Sequence, residues 1–156
     1  MNMKKIFLAM ALMGIVSLSA SAAGETEVPA AVKSSFQKLY PKAEKVKWGK
    51  EDVNYEAEFK QNGTEMSCLF DKDGKLLETE TEIEISALPK AVSDYVTKNY
   101  PNDKIREASK IVDAKNVVTY EAEVKEGDLV FDAQGNFIRK VVEKKDNDND
   151  QKKEKK

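Results

Sequence analysis

Four short motifs occur along this chain and then return in the same order. Val28-Pro29-Ala30-Ala31-Val32 returns as Leu88-Pro89-Lys90-Ala91-Val92, and Leu39-Tyr40-Pro41 as Asn99-Tyr100-Pro101. Tyr55-Glu56-Ala57-Glu58-Phe59 returns as Tyr120-Glu121-Ala122-Glu123-Val124, and Phe70-Asp71-Lys72-Asp73-Gly74 as Phe131-Asp132-Ala133-Gln134-Gly135. The offset stays at about 60 to 65 residues, and such constancy marks a duplicated structural unit. Whatever local fold the first copy adopts, the second must be able to adopt as well.

Each copy opens with a helical pattern. Val32, Phe36 and Leu39 form one apolar stripe, as do Val92, Tyr95 and Val96. Pro29 and Pro89 suit the first helical turn, with Ser86 as N-cap of the second helix. Pro41 and Pro101 stop the helices, because the residue before proline leaves helical geometry. Alternating segments follow. Residues 44–48 and 105–112 are first strands; Val53, Tyr55, Ala57 and Phe59, then Val118, Tyr120, Ala122 and Val124, give second strands with one apolar face. Asn62-Gly63 and Glu126-Gly127 make turns into third strands at 64–70 and 128–131. Asp73-Gly74 and Gln134-Gly135 lead into fourth strands at 75–85 and 136–142. The fold class is α+β: a tandem repeat of one helix plus a four-stranded antiparallel sheet. The helix of each unit covers the apolar face, and the other face is left to solvent or to a partner.

The ends of the chain read differently. Lys4 and Lys5, an apolar run over 6–18 and Ala20-Ser21-Ala22 form the pattern of a cleavable secretory signal over residues 1–23. The run is short for a membrane span of about 20 residues, so the expected product is exported without membrane insertion. Repeat 1 is then residues 24–85, repeat 2 residues 86–143, and residues 144–156 a disordered charged tail with nothing apolar to bury. The whole chain has 26 basic and 28 acidic residues; without Lys4 and Lys5 the balance is −4. That mild acidity offers no footprint for nucleic acid or for anionic lipid. Cys68 is the sole cysteine, so no internal disulfide exists, and its apolar neighbours suggest a buried, inert thiol.

The helix ending in Tyr-Pro, the Val46-Lys47-Trp48 strand, the Tyr55-Glu56-Ala57-Glu58-Phe59 strand and the Phe70-Asp71-Lys72-Asp73-Gly74-Lys75-Leu76 turn together resemble the PepSY-like family of small periplasmic proteins, also described as beta-lactamase-inhibitor-like. The resemblance runs through both copies to Val142. It implies a location in the Gram-negative envelope, periplasmic or secreted. It also implies kinship with a secreted inhibitor that lays a concave sheet on an enzyme, with modules in protease propeptides, and with members described as calcium-regulated. The second copy departs in having no counterpart of Trp48 and a longer segment over 112–116.

Three chemistries can be weighed from the residues. Catalysis is disfavoured: there is no histidine, which removes Ser-His-Asp and Cys-His sets, and zinc lacks ligands. Glu56, Glu58, Glu78, Glu80, Glu82 and Glu84 alternate along strands, which places them on one solvated face with no cause for shifted acidity. Calcium is the only cofactor with candidate ligands, Asp71 and Asp73 at one turn and Asp132 at its counterpart, with Asp146, Asp148 and Asp150 in the tail; none of these follows EF-hand spacing. The leading expectation is a non-enzymatic module that recognises, or inhibits, an unidentified protein partner through Trp48, Tyr55, Glu56, Glu58, Glu121 and Glu123. A calcium-binding or calcium-regulated structural protein is the alternative.

Overall fold

The structure is a computed structural model, and it describes residues 27–142. The signal segment and the charged tail expected from the sequence lie outside those residues. Among the described residues no helix is long and apolar enough to cross a membrane.

Helix α1 spans Ala30–Leu39 and helix α2 spans Lys90–Asn99. Both begin behind a proline in extended geometry, Pro29 and Pro89, which stands at the cap position rather than inside the first turn. Ser86 is not the cap of α2. It lies in a 3-10 turn, Ile85–Ala87, whose end Leu88 separates it from Pro89. Both helices end alike: the Tyr40 amide donates to the Phe36 carbonyl and the Tyr100 amide to Val96, each at 2.8 Å, and a proline follows.

The strands are β1 (Glu44–Glu51), β2 (Asn54–Gln61), β3 (Thr64–Phe70), β4 (Leu76–Glu82), β5 (Glu107–Asp113), β6 (Val118–Val124), β7 (Gly127–Asp132) and β8 (Phe137–Val141). They form one eight-stranded sheet in sequence order, with every neighbouring pair antiparallel. The seam between the halves is the β4–β5 pair, where Glu80 faces Ile111 and Glu82 faces Ser109. The fourth strand is shorter than 75–85: it ends at Glu82, and the chain turns into the 3-10 segment at Ile85.

Two apolar cores lie under the two helices. Val32 and Phe36 of α1 pack with Ala57, Phe59, Cys68 and Phe70; Val92 and Val96 of α2 pack with Ala108, Ala122, Val124, Leu129 and Phe131. Phe36 is the hub of the first, edge-on to Phe59 at 5.0 Å and to Trp48 at 5.3 Å. Cys68 is buried there as expected, its Sγ 3.7 Å from the Thr79 hydroxyl, and burial pushes the thiol's pKa up. Strand register carries one parity of side chains from β2 to β7, so both helices lie on the same face of the sheet. The opposite face carries no described helix.

Turns tie the sheet to the helices. Asp71 Oδ1 accepts from the amides of Asp73 and Lys75, both at 2.9 Å; Asp132 Oδ1 accepts from Gln134 at 2.9 Å and Asn136 at 2.8 Å. Each turn then reaches a glycine with φ of +81° or +83°, Gly74 or Gly135. A Cβ at Gly74 would stand 2.7 Å from the Ala31 carbonyl, and one at Gly135 2.9 Å from the Ala91 Cβ. The repeated Asp-x-x-Gly motif and the repeated small residue early in the helix are thus two sides of one contact.

A candidate interface of buried carboxyls on the open sheet face

Alternation along β2, β4 and β6 sends Glu56, Glu58, Glu78, Glu80, Glu82, Glu121 and Glu123 to the face without helices. Trp48 and Tyr55 have the other parity. They pack against the first core, Trp48 on Phe36 and Tyr55 beneath the Lys50 ammonium at 5.6 Å. The six residues expected to form one partner surface therefore divide between two faces. The structure groups the four glutamates with one another and sets both aromatics among the residues that hold helix to sheet.

The glutamate face is not uniformly solvated, which corrects the reading from alternation. Glu80 is 1% exposed and Glu121 7%, with Ser67 and Ser109 buried beside them. Glu56, Glu58, Glu78 and Glu123 are half-buried, whereas Glu82 and Glu84 are exposed. Three apolar side chains of the same parity, Leu69, Ile111 and Val130, are also buried there and belong to neither helix core. They floor the face: Leu69 lies between Glu56 and Glu78, Ile111 beside Glu80, and Val130 between Glu121 and Arg139.

Taking a carboxylate out of water favours its neutral form. Burial pushes Glu56 up to about 7, with the charges of Glu58 and Glu51 adding to it and the Ser67 hydroxyl opposing. Glu78 is also pushed up to about 7 by burial and by Glu51, with Arg139 opposing. Glu80 reaches about 7 by burial, drawn back by the nearby Ser109 hydroxyl, yet neither of its oxygens has a hydrogen bond of good geometry. Glu121 rises furthest, to about 9, from burial and then from Glu80 and Asp128, with Arg139 opposing. One oxygen each of Glu78 and Glu121 is likewise buried without a hydrogen-bond partner. The result is a belt of acidic groups across β2, β4 and β6, and on β4 and β6 it is short of the donors that buried oxygens require.

The three candidate calcium ligands are not brought to one place. Asp71 and Asp73 belong to the β3–β4 turn and Asp132 to the β7–β8 turn. Asp71 and Asp132 spend an oxygen on backbone amides, and Asp73 pairs with Lys72 at 2.9 Å. Among the described residues no group of three or more carboxylates or thiols is set to hold a metal ion. The tail acids, Asp146, Asp148 and Asp150, lie outside the described residues.

The arrangement is that of a small α+β protein with an eight-stranded meander, helices on one face and an acidic platform on the other. The chain belongs to the PepSY-like family, described as "Putative beta-lactamase-inhibitor-like, PepSY-like", which matches over residues 16–78 and again over residues 54–139. Solved structures share the fold. A BLIP-like protein from Bacteroides fragilis is 26% identical with a TM-score of 0.62, the match covering 82% of this chain and 95% of that one. A DUF2874 family protein from Bacteroides ovatus is 25% identical with a TM-score of 0.64, covering 76% and 89%. A protein from Bacteroides eggerthii, described as one of the "putative periplasmic proteins", is 18% identical with a TM-score of 0.66, covering 74% and 88%. A comparison with curated proteins gives no match.

Proposed function

We propose that this chain is a non-enzymatic periplasmic binding module, a tandem of two helix-plus-four-strand units whose joined, helix-free sheet face recognises a protein partner. The observation that carries this reading is the burial of Glu80 and Glu121 on a face over which no described helix or strand lies. Buried polar groups are ordinarily satisfied, and a cluster left unsatisfied on an open face is suited to donors from another molecule. The periplasmic location is supported by the description of the Bacteroides eggerthii neighbour. A non-enzymatic role is supported by the chemistry on offer: the chain has no histidine, and its one thiol is buried on the helix side of the sheet.

A site-specific photocrosslinker tests the reading in the native envelope. Placed at position 58, on the open face, it should give a discrete protein adduct. Placed at position 33, on the exposed side of α1, it should give none. Adducts from 33 alone, or from neither position, would overturn the assignment of the face.

A further inference from the structure

Glu56 and Glu78 flank Leu69 in one row of the open face; Glu80 lies next to Glu78 along β4, and Glu121 stands two strands further on, across β5. Adjacent strands lie about 4.8 Å apart, so from β2 to β6 the belt crosses about 19 Å. It thus passes over both halves of the molecule and over their seam. Register places Glu51, Glu58, Glu65, Glu82, Glu107, Asp113, Glu123 and Asp128 on this face as well, against Lys47, Lys60 and Arg139. Lys60 is taken up by Glu65, and the positive charge of Arg139 offsets part of the negative charge of Glu78 and Glu121. The acidic excess is therefore intrinsic to the face. At its centre Glu80 is 1% exposed with both oxygens lacking a hydrogen bond, a group that calls for donors from outside the chain.

We infer that the occupant of this face is a basic segment of a partner protein, with an arginine side chain seated over Glu80 and Glu121. This rests on the binding reading above and names its chemistry. A guanidinium offers five donors in a planar fork, matches carboxylates in pairs and tolerates partial burial better than an ammonium. Its aliphatic stem would cover Ile111 and Val130, which line the floor beside these two glutamates. No described helix or strand has to be displaced, since none lies over this face, and neighbouring side chains change rotamer in picoseconds to nanoseconds. A metal ion fits less well, because the carboxylates are spread over three strands and do not converge on one point.

The test is a fluorescence titration of the full mature chain with a labelled Arg-Ser-Arg-Ser-Arg peptide at physiological salt and pH 7.5. Wild type, a Glu80→Gln/Glu121→Gln variant and a control Asp52→Asn/Asp94→Asn variant, which likewise replaces two carboxyl groups by amides, are compared, with thermal melts to confirm that each folds. The expected result is saturable binding to wild type, weakened at least tenfold in the Glu80/Glu121 variant and less than threefold in the control. The single variant Glu121→Gln, weakened at least threefold, serves if the double variant does not fold. Equal weakening in both double variants, or no saturable binding, overturns the proposal. Displacement of the peptide by submillimolar calcium overturns it in favour of a metal. If the peptide fails while the crosslinker at position 58 still gives its adduct, the inference on chemistry falls and the binding reading stands; if both fail, both fall.

Discussion

Glu80 occupies a position that strand alternation alone assigns to water, yet it is almost fully buried. With no hydrogen bond to either oxygen, its charge destabilises the fold wherever it is ionised. Glu80→Gln should therefore raise stability at pH 8 by about 1–2 kcal/mol, the part of the burial cost that a neutral amide avoids, and change little at pH 5. Denaturant melts at the two pH values check this. Trp48 gives the opposite lesson. A candidate partner contact on sequence grounds, it packs against Phe36. Trp48→Ala should cost about 1–3 kcal/mol, less than full burial would because the residue is only half-buried, and should leave peptide affinity at the open face unchanged. At Gly74 a positive φ and the Ala31 carbonyl both oppose a side chain. Gly74→Ala should cost about 1–3 kcal/mol, measurable in the same melts.

At the scale of elements, much of the architecture was legible because local rules decide it. The third strand of the first half runs Thr64–Phe70, as alternation and Asn62-Gly63 predict, and both helices stop at their Tyr-Pro steps. The first strand runs on past 48 to Glu51, which was not legible because the turn at Asp52-Val53 carries no glycine or proline to announce it, although Asp52 adopts a φ of 52°. The burial of the open face was not legible from alternating glutamates, since it depends on which strands pair across the seam. A signal was nonetheless present. Cys68-Leu69-Phe70 and Leu129-Val130-Phe131 are unbroken apolar runs, and such runs mark strands buried on both faces. The Asp-x-x-Gly turns, in turn, have a structural use for their carboxylates. Asp71→Asn should lower the melting midpoint of the protein equally in calcium and in chelator. A loss confined to calcium would assign Asp71 to metal instead.

For the whole molecule, the division of labour between faces has a consequence for pH. Glu56, Glu78 and Glu80 are raised from 4.5 to about 7 and Glu121 to about 9. The folded protein holds protons that the unfolded chain has already released, so stability from these groups is full below about pH 4.5 and is lost as pH rises through 7 toward 9. Glu51, Glu58 and Asp128 push in this direction, while Arg139, Ser67 and Ser109 oppose it. Asp103 and Asp132 are lowered, so their contribution is lost only in stronger acid, below the window that matters here. The melting midpoint should accordingly be higher at pH 5.5 than at pH 8, by about 5 °C, on scanning calorimetry of the protein.

The same carboxyls underlie both the proposed binding surface and the expected pH response, and they can be observed one at a time. Side-chain carboxyl carbon shifts of Glu80 and Glu121, followed by NMR from pH 3 to pH 10, should give midpoints near 7 and 9, well above an ordinary glutamate. Titration of both near 4.5 would show the open face to be an ordinary wet surface and would contradict the account at its centre.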